Sequence, residues 1–557
     1  MKLNRLYLLA AIIFVLAVLL RFLYIDTIPN NLTMDEVNNG YTAYSLLKTG
    51  HDEWGNFLPF SFRSVGDYKP PILIYLTVPS IALFGLNEFS VRFPVALASL
   101  FSLLFTFLLS KKFLFAKQPL WFHLFVLFLF ATSPWHIIFS RSGYEAVVAL
   151  LFFLINILLL LQFIKEKRPI LLALAITFAF LSVFTYHSYK VFTPLMNLLV
   201  IFVYRQTLLN HLKHIFNTSN LHHSYLAVLG LLIFLSWFLI TQYLTGPGAT
   251  RASMVFISSD YEYKVALIDK LLKYDFHHYQ YLFFPLFWFK RYLDYFSPNF
   301  YLYSGLELTQ PGHIGSGVTG FAVFSLFVTG LYALLFNKGK LLIRQPIRTI
   351  LLGWLFIGFL PASLANNIQQ PLRALAALPA ILFIAALGLL HLFQSLRNRF
   401  HLIVIAVFLT TLFVFDYVRF ADHYLIHYPY DLAEGRHYGW KQIYQYLEPI
   451  KDNYHQIYVD PRYGHTGRTT YSVPYLYFLF YSQYDPLVFQ QDPRRKQHDA
   501  NFDQFIFGDI DWQSQDLGKN NLFVASPWSF TIYQGPILHT VYFPDGVPAL
   551  HIIEGPK

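Results

Sequence analysis

Between Leu6 and Val418 the chain repeats one feature about eleven times: an apolar run long enough, or nearly so, to cross a bilayer as a helix. The runs lie near Leu6–Ile25, Phe89–Leu109, Leu120–Phe139, Ala146–Ile164, Pro169–Thr185, Val191–Tyr204, Tyr225–Tyr243, Gly317–Phe336, Ile350–Leu364, Leu372–Phe393 and Leu402–Val418. Val191–Tyr204 is short for a span, and Ile72–Phe84 reads as a further short or partial one. Hydrocarbon offers the backbone no partners, so each run must bond its own N–H and C=O groups as a helix. The expectation is an α-helical polytopic membrane protein. Composition agrees: 55% of residues are hydrophobic and only 13% charged, where a soluble chain carries about 25%. The net charge of +10 then reads as basic cytoplasmic loops rather than a nucleic-acid surface. With no cysteine, disulfides, thiolate metal sites and cysteine nucleophiles are excluded.

Lysine and arginine in the short loops set the orientation. With the N-terminus inside, alternate loops hold Lys111 and Lys112; Lys165, Lys167 and Arg168; Arg205 and Lys213; Lys338, Lys340, Arg344 and Arg348; Arg397 and Arg399. That places 26–88, 245–316 and everything after Arg419 outside, in the plasma membrane of a cell. The first run lacks a small-x-small cleavage site and is read as a span rather than a cleaved signal. The tail changes texture. "QIYVD", "QFIFGDI", "NLFVAS" and "LHIIE" read as strands, and "RHYGWKQIYQYL" and "PYLYFLFY" as helices. The expected division is a transmembrane domain at 1–419, with its first outer loop near 26–88, and a small extracytoplasmic α/β domain at 420–557.

That first loop opens with "LTMDEVNNG". Thr33 and Glu36 have the spacing of a capping box, so a helix is expected from Met34 to the stop at Gly50. Val37, Tyr41, Tyr44 and Leu47 recur at helical spacing, which predicts a helix lying along the outer membrane surface with one apolar face. A purely local reading makes Glu36 a cap and Asp35 a favourable charge at a helix start. Six cations accompany the acids near the outer boundaries: Arg63, Lys69, Arg92, Arg141, Lys190 and Arg373. Each runs against the positive-inside bias. Together they suit an anionic ligand such as a lipid phosphate better than six separate structural ion pairs. Trp54, Tyr68 and Tyr144 are candidate sugar or lipid contacts. His136, His187 and His313 lack ligand spacing and read as packing.

The order of these elements resembles a known group. Asp35-Glu36 after the first span, then Lys69-Pro70-Pro71, then Phe84-Gly85-Leu86-Asn87-Glu88 with Val91-Arg92-Phe93-Pro94, is similar to the start of the GT-C glycosyltransferases. The likeness is to the protein O-mannosyltransferases and the bacterial aminoarabinose transferases. It is dense over 21–99 and thinner through "SRSGYEA", "YHSYK" and "LRALAALPA". The resemblance implies a polyprenyl-phosphate sugar as donor and a lipid, glycan or protein as acceptor. It also implies an outer-facing site in which Asp35 is the catalytic base, with Glu36 beside it. Lys69, with Arg141, Lys190 and Arg373, would meet the donor phosphate. The aminoarabinose transferases carry a glutamate before the lysine of the proline pair. Here that position is Tyr68, so a metal built on it is not expected and no cofactor is predicted. The rival from another class is a transporter or flippase of a lipid-linked or anionic substrate, which would place charges within its spans. These spans are nearly free of acids.

Overall fold

The computed structural model describes residues 3–217, 222–244, 255–274, 279–306, 317–336, 343–366, 369–396, 398–464, 470–495, 500–512, 520–529 and 535–555. His313, Lys338, Lys340 and Arg397 lie outside them. In chain order the first part forms α1 Leu3–Phe22, α2 Met34–Thr49, β1 Phe62–Ser64, β2 Asp67–Lys69, α3 Ile72–Phe84, α4 Glu88–Leu109, α5 Leu120–Ala131, α6 Pro134–Ser140, α7 Glu145–Glu166, α8 Pro169–Thr185, α9 Tyr189–Val203, α10 Arg205–Asn217 and α11 His222–Leu244.

Among the described residues, seven helices are long and apolar enough to cross a membrane, and nine if two bent pairs are each one span. The pairs are α5 with α6, bent by 53°, and α9 with α10, bent by 77°. α8 and the helix Gly320–Phe336 are apolar but shorter. Each apolar run expected from the sequence is therefore helical, in a multi-pass membrane protein. The α5–α6 break precedes Pro134, which cannot continue the hydrogen-bond ladder. Arg21, fully buried at the end of α1, donates to the Ala131 carbonyl at 3.0 Å and to Nδ1 of His136 at 2.9 Å. A backbone break at membrane depth is thus answered from a neighbouring helix.

The tail forms a mixed five-stranded sheet. Its strands are β3 Ile457–Val459, β6 Phe505–Phe507, β7 Leu522–Ala525, β8 Ile537–Tyr542 and β9 Pro548–Glu554, with a separate pair β4 Arg462–Tyr463 and β5 Thr470–Tyr471. The order is β6-β3-β7-β9-β8, with β3 parallel to both β6 and β7 and β9 antiparallel to both its neighbours. Four of the five strands are those read from the sequence; β8 is the addition.

Two expectations change. The helix before the tail continues to Asp431 rather than ending near Arg419. More important, the tail does not pack as a separate unit. Leu32, Val37, Tyr41, Phe62, Ile74 and Val91 share one hydrophobic cluster with Trp440, Ile443, Tyr477 and Phe480. Accordingly α2 is not a one-sided helix on a membrane surface. Asn38, Asn39, Thr42 and Ser45 on its polar side are as buried as Val37 and Tyr41. α3 and α4 cover it on one side and the helices Pro474–Ser482 and Pro486–Gln491 on the other.

Candidate active site

The first turn of α2 makes the expected capping box. The Thr33 hydroxyl accepts from the Glu36 N–H at 3.2 Å, and Glu36 Oε2 accepts from the Thr33 N–H at 2.9 Å. The rest of the Glu36 carboxylate is taken as well. Oε1 accepts from Arg92 Nε at 2.9 Å and from the Gly143 N–H at 3.0 Å, and Oε2 from Arg436 at 2.8 Å. Gly143 is required by closeness: a Cβ there would lie 2.9 Å from Glu36 Cγ. Burial pushes the Glu36 carboxyl up, but Arg92 and Arg436 outweigh it and hold the group at about 2. Glu36 is thus a buried anchor rather than a group presented to substrate.

Asp35 is its opposite. One residue along a helix turns the side chain by about 100°, and Asp35 points outward, 59% exposed. Beneath it lies Lys69, 5% exposed, with Nζ 2.8 Å from Asp35 Oδ1. The "GDYKPP" segment explains this delivery. β1 and β2 form a hairpin that pairs Phe62 with Lys69, and the proline pair then opens α3. Lys69 Nζ also reaches the Asp35 carbonyl at 3.2 Å and Asn39 Oδ1 at 3.3 Å. The family resemblance implied Asp35 as the base and Lys69 as a contact to the donor phosphate. The structure instead puts the ammonium on the carboxylate and on the first turn of α2, where it orients Asp35.

The other outer cations divide. Arg92 donates to the carbonyls of Ile25, Pro29 and Asn31 besides Glu36. Arg141 donates to those of Leu20, Leu23, Tyr24 and Ile28. Both converge on the chain leaving α1, where a helix C-terminus lacks partners for its carbonyls. Of the six cations expected to converge on an anionic ligand, Arg92 and Arg141 instead converge on backbone and Glu36. Lys190 Nζ meets His187 Nδ1 at 2.8 Å, and Arg373 donates to the Asn366 carbonyl at 3.1 Å. Arg63 lies over the Trp54 ring at 4.8 Å, so a cation already covers one face of that indole. Tyr68 is half-buried beside Lys69. Tyr144, half-buried, packs its ring edge-to-face with Phe139, within electrostatic reach of Asp35, Glu36 and Arg436. Among the described residues, no three His, Asp or Glu side chains gather as a metal would require.

Sequence reading missed the contribution of the tail. "RHYGWKQIYQYL" is helical only from Trp440. The residues before it turn, with His437 at φ 54° and Gly439 at φ 113°. A glycine takes that second value without a Cβ clash. The turn points Arg436 at Glu36 and sets His437, buried, near Asp35. Burial pulls the His437 imidazole down, against the opposing charge of Asp35, to about 4, so it is neutral at pH 7. Further ties follow the same path: Lys441 Nζ to Glu88 at 2.6 Å, and the Tyr477 hydroxyl to the Leu32 carbonyl at 3.1 Å. The glycine before Trp440 was the only local signal. Nothing local couples residue 436 to residue 36.

No family model and no curated protein matches the sequence. Solved structures do. The chain is similar to ArnT from Cupriavidus metallidurans bound to undecaprenyl phosphate, at 14% identity and a TM-score of 0.52, over 100% of both chains. It is similar to apo ArnT at 13% identity and 0.52, over 100% of this chain and 99% of that one. The chain has the GT-C glycosyltransferase fold. An Archaeoglobus fulgidus oligosaccharyltransferase tethered to an acceptor peptide matches more loosely, at 15% identity and 0.47, over 99% of this chain and 74% of that one. The likeness to ArnT covers the tail as well as the bundle, in keeping with their shared core.

Proposed function

We propose that the protein is a membrane glycosyltransferase. It moves a sugar from a polyprenyl-phosphate donor to an acceptor hydroxyl at the outer face of the membrane, with inversion at the anomeric carbon. One observation carries this reading: beside a carboxylate locked for structure, a second, Asp35, is exposed and oriented by a buried lysine at 2.8 Å. A favourable charge at a helix start accounts for an exposed acid, but not for the buried lysine set against it. The ligand in the full-length structural match is a polyprenyl phosphate, which supports the donor class. The basic loops at the other end of the bundle support an outward-facing Asp35.

In the proposed step Asp35 takes the proton of the acceptor hydroxyl as that oxygen attacks the anomeric carbon. The bond from that carbon to the phosphate oxygen breaks, and the lipid leaves as its monophosphate. A positioned base contributes about 10²–10⁴-fold. Lys69 acts through Asp35 as a positioning residue. Lys190 and Arg373 are the candidates to balance charge on the departing phosphate. No step is routed through a metal ion.

The test is to incubate purified protein with a panel of polyprenyl-phosphate sugars and follow donor consumption and the anomeric configuration of the product. Consumption of one donor with inversion supports the reading. Retention would remove direct displacement, and consumption of none, with movement of intact lipid-linked sugar across vesicles, would favour a flippase.

A further inference from the structure

A hollow lined by cations lies at the end of the bundle away from Asp35. α4 and α7, each 22 residues, span about 33 Å at 1.5 Å per residue. Each begins at the Glu36 knot, through Arg92 and through Gly143 just before α7. At their other ends lies a hollow of about 390 Å³ lined by Lys112, Lys117, Lys165 and Arg344. Three separate segments bring these cations together: the helical turn Ser110–Leu114 and the residues just after it, the end of α7, and the residue before the helix Gln345–Ser363.

None of the four meets a carboxylate among the described residues. The adjacent acid, Glu166, faces elsewhere: it takes a hydrogen bond from Gln162 at 3.0 Å and lies 4.0 Å from Arg168. The floor is apolar, from Leu161 and Ile164 of α7. Tyr204 and Thr207 close one side, at the elbow where the chain bends 77° from α9 into α10. α10 leaves Leu209 and Leu212 exposed beside Arg205 and Lys213, the mixture of a helix lying in a membrane interface. The hollow therefore sits where the bundle leaves the bilayer, at headgroup depth.

We propose that this hollow binds the phosphate-bearing headgroup of an anionic phospholipid, with its acyl chains running along the apolar flank. Clusters of Lys and Arg beside membrane-crossing helices recognise such headgroups by charge. Topology alone explains basic loops, but not four cations, without a carboxylate partner among the described residues, converging on one apolar-floored hollow. The site is independent of what Asp35 does.

The test uses delipidated full-length protein, titrated with phosphatidylglycerol, phosphatidylcholine or inorganic phosphate and read by native mass spectrometry. The wild type is expected to retain one phosphatidylglycerol in preference to phosphatidylcholine. The K112Q/K165Q/R344Q variant should bind it at least about tenfold more weakly. Equal retention of the two lipids by the wild type would overturn the proposal, a result that needs no variant. Undiminished binding by the variant would overturn it too, as would saturation by inorganic phosphate without any lipid preference.

Discussion

The two ends of α4 and α7 carry opposite kinds of charge. At the Asp35 end, Glu36, Arg92 and Arg436 are at most 3% exposed, and both guanidinium groups pair with the one carboxylate and with nearby backbone carbonyls. At the other end, Lys112, Lys165 and Arg344 are exposed and make no ion pair among the described residues. Removing one partner of a buried pair leaves an uncompensated charge at a cost of several kcal/mol, whereas exposed charges contribute little. Charge at the first end therefore fixes shape, and charge at the second is available to a ligand. Asp35 is the exception within the first end: an exposed acid on a rigid, interlocked mount.

The largest expected effect comes from removing the tail. Because α2 shares its core with the helices Trp440–Leu447 and Pro474–Ser482, truncation after Asp422 should leave no monodisperse protein in size-exclusion chromatography. A truncated chain that stays folded would mean the tail is a removable module.

Next is Glu36→Gln, which strands two buried guanidinium groups and should cost roughly 3–5 kcal/mol, seen as a lower thermal midpoint in detergent. Its pH dependence has a definite sign. The native carboxyl is held at about 2 against an ordinary 4.5, so its stabilisation is complete above about pH 4.5 and is lost as pH falls toward 2. Wild type and variant should converge in that window.

How much of this was readable beforehand follows from range. The apolar runs, the Thr33–Glu36 capping box and most of the C-terminal strands are local patterns, and all stand in the structure. The pairing of Asp35 with Lys69 was expected only as a shared chamber, since a hairpin turn decides which atoms meet. Arg436 and His437 were invisible. Their role depends on a turn at Gly439 and on contacts some 400 positions apart. Arg92 and Arg141, expected to face a ligand, meet backbone carbonyls and Glu36 for a similar reason. A sequence reveals cations near a boundary but not the carbonyls at and just beyond the end of α1 that claim them.

A smaller effect is expected at Glu53, buried in the same loop with Asn38 donating to it at 3.0 Å. Burial, then Asp52, raises its carboxyl to about 7. Ionisation in the folded state is thus penalised, and the native protein loses stability as pH rises from about 4.5 to 7. Glu53→Gln should match wild type near pH 4.5 and exceed it at pH 8 by about 1–3 kcal/mol, visible as a higher midpoint only at the upper pH. The smallest change is expected at the opposite end, where Lys165→Gln should alter stability by no more than about 0.5 kcal/mol.

The most direct measurement compares transfer rate per folded molecule in wild type and Asp35→Asn, with the thermal midpoint recorded alongside. Asp35 is exposed but pairs with the buried Lys69, so the midpoint should fall modestly, while the rate per folded molecule falls by about 10²–10⁴-fold. A folded Asp35→Asn protein that transfers sugar at the wild-type rate would contradict the assignment of the base.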